Sequence, residues 1–148
     1  MAAEARRRGH TVAATDLDTV AEMALPTLTD WAWAHTVHGH LVRAWLTTDV
    51  DLVIDEGTCS VDEVQQILRG VDAGTHVQHV VLTADFACSL DRALKDPGRG
   101  ASQDADFLRA DHERYAAELP NLPCDVQVHV EGRPPLDLAI ETLNSLGV

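Results

Sequence analysis

With 148 residues and 45% apolar side chains, the chain is long enough for one domain with its own core, unaided by disulfide staples. Its net charge of −13 repels polyanions at long range, which excludes a nucleic-acid platform or a surface that seeks acidic lipid. No run approaches the roughly 20 apolar residues that cross a bilayer, the N-terminal MAAEARRRGHTV lacks the apolar stretch of a secretory signal, and Cys59, Cys88 and Cys124 are too scattered for a disulfide framework or a zinc site, so a cytoplasmic setting is expected.

Short β-type runs alternate with helical stretches along the chain. Ala2–Arg8 is a helical scrap that stops at Gly9, and Thr11–Thr15 (TVAAT) is a short candidate strand. A long helix is expected from Thr27 to about Thr48, carrying Trp31, Leu41, Val42 and Trp45. Val50–Glu56 (VDLVIDE) reads as a second strand, apolar until it ends in two acids. Ser60 with Glu63 forms a capping box, after which Val64, Ile67, Leu68 and Val71 line one helix face. Val77–Thr83 (VQHVVLT) is a third strand, followed by a helix from Asp85 to Lys95.

The Pro- and Gly-rich segment Asp96–Ser102 then breaks that helix, and residues 96–104 are expected to form a mobile, exposed lid segment. Ser102 is placed to cap a helix running through Leu119. Val126–Val130 (VQVHV) alternates as a fourth strand, and Pro134-Pro135 opens a last helix with the stripe Leu136, Ala139, Ile140, Leu143 and Leu146. Strands alternating with helices imply parallel pairing in a layered α/β sheet, whose ligands bind at the carboxyl ends of the strands.

Those ends carry most of the chemistry. Asp16 and Asp18, one residue apart after the first strand, can hold a hydrated Mg²⁺ or take a proton from a hydroxyl; equally, either can cap the next helix. Asp55-Glu56-Gly57 gives the second strand the acidic ending of a Walker B element, whose acid sits beside the metal and orients its water; equally, acids end many strands for structural reasons alone. Arg92 and Arg99 flank the Pro/Gly segment, where mobile guanidiniums can close over a phosphate or simply be solvated. Ten of the eleven basic residues are arginine, the type that forks onto phosphate; the single lysine is Lys95. Arg133 lies in a turn that suits a base-binding loop or a plain connection to the last helix.

Other constellations are weaker. His35, His38 and nearby His40 fall on a helix where two of them could ligate a metal if a third ligand arrived, or line a packing seam or acceptor pocket. Leu108, His112, Tyr115 and Leu119 share a face that core packing explains. Neither Ser89 nor Ser102 sits in a G-x-S-x-G elbow, so no nucleophilic triad is signalled.

In order and spacing, RRGHTVAATDLD, VDLVIDEG, VVLTADFACSLDRALKDPGRG and VEGRPPLDLAIETL together resemble the small-molecule kinases of the P-loop superfamily, such as shikimate-, gluconate- and chloramphenicol-kinase-like proteins. The resemblance implies a three-layer parallel sheet flanked by helices, with ATP and Mg²⁺ as cofactors and a small hydroxylated molecule as acceptor. It assigns Asp16, Asp55 and Glu56 to the metal, Asp18 to the acceptor hydroxyl, Arg92 and Arg99 to the transferring phosphate, and Arg133 to the adenine side. The stretch from Thr27 to Thr48 falls where such kinases vary to recognise their acceptor.

One part of the family pattern is missing. The strand and G-x-x-x-x-G-K-[ST] loop that cradle the phosphates occur nowhere in this chain, and Ala2–Arg8 resembles the tail of the helix that should follow them. By resemblance that strand is the central one of a 2-3-1-4-5 sheet. The resulting expectations are a truncated or misplaced start, a degenerate relative, or a different α/β domain. The first makes this chain an ATP-dependent phosphotransferase domain that is inactive alone. The competing class is a non-catalytic nucleotide- or ligand-binding regulatory protein, with a homo-oligomer covering the incomplete sheet.

Overall fold

The computed structural model describes the chain apart from residues 26, 28–30, 58 and 59 and the side chains of residues 97, 99 and 100. It is an α/β protein whose short strands pair in parallel in two small sheets. The chain divides into two units, Met1–Val77 with Val148, and Gln78–Gly147.

In the first unit, α1 (Ala2–Arg7) leads into β1 (Val12–Asp16), then α2 (Leu17–Glu22) and α3 (Ala32–Leu46) carry the chain over to β2 (Leu52–Glu56), which is followed by α4 (Val61–Leu68). β1 and β2 pair from Val12↔Leu52 to Asp16↔Glu56. The long helix expected over residues 27–48 is thus shorter, and α2 precedes it; residues 28–30 lie outside the described residues. Leu17, Val20 and Ala21 of α2 pack against Ala34 of α3, with Trp33 against the cluster.

The buried face of α3 is Ala34, His38, Gly39 and Val42, while Trp31, Leu41 and Trp45 stay at least a third exposed. Of the apolar residues noted on this helix, Val42 is thus the one in the buried set. At Gly39 a Cβ would meet the Arg43 guanidinium at 3.2 Å and the Gln66 carbonyl of α4 at 3.6 Å.

The second unit holds β3 (Val80–Thr83), α5 (Phe86–Lys95), a 3₁₀ helix (Pro97–Gln103), α6 (Ala105–Glu118), a short 3₁₀ turn (Leu119–Asn121), β4 (Val126–His129) and α7 (Pro135–Leu146). β3 and β4 pair from Val80↔Val126 to Thr83↔His129. Val81, Val128, Ala93, Leu138, Ala139 and Leu143 are buried here, whereas Leu136 is 58% exposed; the core face of α7 is rotated from the predicted stripe and includes Thr142. The Thr142 hydroxyl survives burial by donating to the Leu138 carbonyl, 2.8 Å away within its own helix.

Each parallel pair opens with the same device. The Asp51 carboxylate, just before β2, accepts from the Thr11 N–H (2.7 Å) and hydroxyl (2.7 Å), just before β1. Asp125, just before β4, accepts from the His79 N–H (2.6 Å), just before β3. A short side chain satisfies a backbone donor that a longer ladder would have used, which fixes where pairing begins. These hydrogen bonds hold the Asp51 carboxyl below its ordinary range, with the Thr11 backbone bond the largest cause.

Helix ends follow local chemistry. Ser60 and Glu63 form the predicted capping box on α4. The cap of α6 is Asp104, which accepts from the Asp106 and Phe107 N–H groups at 2.9 Å, and not Ser102, because a 3₁₀ helix occupies residues 97–103. That segment is tied at both ends: Asp96 accepts from the Gly98 N–H at 3.0 Å, and the Gln103 amide donates to the Asp96 carbonyl at 2.8 Å. Gly147, in the left-handed conformation, closes α7.

Candidate functional site

The carboxyl ends of β1 and β2 lie side by side, as an in-register parallel pair requires. Thr15 and Asp55 are partners, and the Thr15 hydroxyl donates to Asp55 Oδ1 at 2.8 Å. Asp16 and Glu56 are the next partners and, by strand alternation, project to the opposite face. Gly57 then turns the chain at φ +109°, where any Cβ would meet that of Leu17 at 2.5 Å. Only glycine lets the end of β2 pass this close to the start of α2.

On its own face, Asp55 meets His38 of α3, whose side chain is fully buried. His38 Nε2 lies 2.6 Å from Asp55 Oδ1, a close contact without the alignment of a hydrogen bond, and Nδ1 has no hydrogen-bond partner among the described residues. One turn earlier, His35 Nε2 is 3.5 Å from Glu63 Oε1 of α4. The histidines therefore lie in the seam between α3 and its neighbours, each facing one carboxylate. A helix spacing of three residues signalled the shared face; which acid each ring meets depends on how β2 and α4 pack.

The other face is already committed. Asp16 is the N-cap of α2, accepting from the Asp18 N–H at 2.9 Å and the Thr19 hydroxyl at 3.2 Å. Asp18 sits exposed in the first turn of that helix, and Glu56 is exposed. Asp16, Asp55 and Glu56 are thus neighbours in sequence register whose carboxylates divide between two faces. No lysine or arginine follows either strand end before α2 or α4, so the described residues offer a triphosphate neither a cationic side chain nor a glycine-rich nest there. The residues present do not fit ATP at these strand ends.

The predicted arginines are placed in the second unit. Arg92 of α5 donates through Nη2 to the Val130 carbonyl at 3.1 Å, clamping the end of β4. Arg133 pairs with Glu141 of α7; the carboxylate raises the guanidinium above its ordinary value and is itself lowered by it. The side chain of Arg99 and all of Cys59 lie outside the described residues. His112 and Tyr115 of α6, read as core residues, hold the β3 end instead: His112 Nε2 is 3.0 Å from the Ala84 carbonyl, and the Tyr115 hydroxyl donates to the Leu82 carbonyl at 3.1 Å.

A shallow pocket of about 170 Å³ lies beside Arg43, Leu46, Val71 and Asp72 in the first unit. It is smaller than the roughly 300–1,000 Å³ typical of ligand pockets and holds none of the predicted site residues. Among the described residues, one group of His and acid side chains gathers within metal-ligating reach: Asp85, His129 and Glu131, all exposed. Also among the described residues, no helix is long and apolar enough to cross a membrane. No family model, curated protein or solved structure matches this chain.

Proposed function

We propose that the chain is a kinase-like domain, built to take part in phosphoryl transfer from ATP to a small hydroxylated molecule, that does not turn ATP over by itself. The observation that carries this reading is the pairing of strands. In the 2-3-1-4-5 order of the resembled kinases, the strands flanking the phosphate-loop strand form two parallel pairs, and the chain has two such pairs, β1 with β2 and β3 with β4. β2 and β3, which the phosphate-loop strand would separate, belong to different sheets. The acids at the paired ends of β1 and β2, and Arg92 on the helix after β3, add to this reading by their order along the chain.

Phosphoryl transfer depends on positioning and charge stabilisation around the phosphates more than on covalent chemistry. Without a phosphate cradle, the acids and arginines have nothing to act upon. The purified chain is therefore expected to show no Mg²⁺-dependent ATP hydrolysis above background; robust turnover would overturn this part of the reading. Fusing a strand–G-x-x-x-x-G-K-[ST]–helix segment ahead of Met1 tests the rest. Mg²⁺-dependent binding of a fluorescent ATP analogue is expected to rise at least tenfold in the fusion and to fall again with Asp55→Asn. A folded fusion that binds no better than the original chain rejects the kinase-like reading.

A second reading is a non-catalytic ligand-binding or regulatory α/β protein. It draws on the commitment of Asp16 to a helix cap and of Asp55 to Thr15 and His38, which gives both acids a structural role. Unchanged behaviour of the fusion, together with a loss of stability in Asp55→Asn, favours it.

A further inference from the structure

At the end of the β3–β4 pair, a register-matched couple of tripeptides points its donors to one place. Thr83 and His129 are partners in the ladder, so in Thr83-Ala84-Asp85 and His129-Val130-Glu131 the alternate residues share one side. There the carboxylates of Asp85 and Glu131 and the His129 imidazole offer ligand atoms all within 4.8 Å of one another. We propose that Asp85, His129 and Glu131 bind a divalent first-row transition ion, with Zn²⁺ as the reference ion. This site is separate from the strand-end acids of the first unit, and the proposal stands whether or not the kinase-like reading does.

Three features favour an ion over a chance surface cluster. First, His129 Nδ1 is 3.1 Å from the Thr83 hydroxyl. That contact orients the ring: with no ion bound, Nε2–H donates to Glu131 Oε2, and an ion that takes the Nε2 lone pair leaves Nδ1–H to the Thr83 oxygen, the arrangement by which proteins fix the tautomer of a ligating histidine. Second, Nε2 lies 3.2 Å from Glu131 Oε2. Two ligands about 2.0 Å from a tetrahedral zinc are roughly 3.3 Å apart, so this pair already spans one edge of the polyhedron. Third, Asp85 occupies the N-cap position of α5, yet its side chain makes no cap hydrogen bond. Its carboxylate is turned from the use that Asp16 and Asp104 make of theirs.

The backbone that presents these ligands is held from several sides. The Val130 N–H donates to the Thr83 carbonyl at 2.8 Å, and Arg92 grips the Val130 carbonyl between the two ligands on that strand. His112 takes the Ala84 carbonyl, next to Asp85. Two carboxylates balance the charge of a divalent ion, and one imidazole favours zinc or iron over the all-oxygen preference of Mg²⁺. Three protein ligands leave the remaining positions to water.

Competition for Zn²⁺ between the full chain and a chromogenic chelator tests the proposal, using a variant with Cys59→Ser, Cys88→Ser and Cys124→Ser so that thiols take no part. One Zn²⁺ per chain is expected, not displaced by a large excess of Mg²⁺. His129→Ala, Asp85→Asn and Glu131→Gln are each expected to weaken binding at least tenfold. All three residues are exposed, so their far-UV circular dichroism should match the parent and separate loss of a ligand from loss of fold. Thr83→Val, which frees the ring without removing a ligand, should weaken binding by less. No stoichiometric Zn²⁺ binding, binding of equal strength in His129→Ala, or ready displacement by Mg²⁺ overturns the proposal.

Discussion

His38 and Asp55 face each other across the seam between α3 and β2, with Nε2 2.6 Å from Oδ1 and the ring wholly shut from solvent. The Thr15 hydroxyl reaches the same oxygen from β1. One carboxylate thus joins two strands and a helix. His38→Ala would leave a cavity and deprive Asp55 of a neighbour, and it is expected to destabilise the first unit by roughly 2–4 kcal/mol. All three tryptophans, Trp31, Trp33 and Trp45, belong to that unit, so their fluorescence during denaturant unfolding reads it selectively. A midpoint unchanged by His38→Ala would show that the contact does nothing for stability.

Gly57 and Gly9 both adopt positive φ, +109° and +98°, but only Gly57 faces an obstruction. Gly57→Ala combines left-handed strain with a clash against Leu17 and should cost roughly 3 kcal/mol or more, whereas Gly9→Ala carries the strain alone, about 1–2 kcal/mol. Tryptophan-detected unfolding of the two variants gives the difference. Equal losses would rule out the close approach of β2 to α2.

Glu4 is buried under Arg7 and Arg8, and the Arg7 hydrogen bond, followed by that of Arg8, holds its pKa down from 4.5 to about 2. Folding thus favours the ionised form. The stability that this pairing supplies is complete above pH 4.5 and is lost as the pH falls from 4.5 towards 2. Wild type should exceed Glu4→Gln in stability near neutrality, with the gap closing across that window. A gap that stays constant with pH would assign the difference to packing.

Helix α6 tests the caps directly. Asp104→Ala removes an acceptor from two backbone N–H groups and should cost about 1 kcal/mol, while Ser102→Ala should fall within roughly 0.5 kcal/mol of wild type. Thermal unfolding followed at Tyr115, which reports the second unit, distinguishes them. The reverse order would restore Ser102 as the cap.

Some of the fold was legible because it depends on neighbours in sequence. The capping box of Ser60 and Glu63, the proline opening of α7 and the existence of four strands are local patterns, and each is found in the structure. Strand starts were less legible: β2 begins at Leu52 and β3 at Val80, later than the apolar runs, and the Asp51 and Asp125 carboxylates bind the residues just ahead of each pair. The buried face of α3 was not legible either. The helix is apolar on more than one side, and packing buries Ala34, His38, Gly39 and Val42 while Trp31, Leu41 and Trp45 stay at least a third exposed.

By itself, the sequence determined an alternation of strands and helices, acids at two strand ends and no phosphate loop, since each is a matter of residue type and order. Tertiary structure decided which groups meet. Parallel register put Thr15 beside Asp55 and sent Asp16 and Glu56 to the other face, helix packing aimed His38 at Asp55, and the β3–β4 register assembled Asp85, His129 and Glu131 from residues about 45 positions apart. Contacts between distant segments depend on pairing register and helix approach, and no local pattern of residues encodes either.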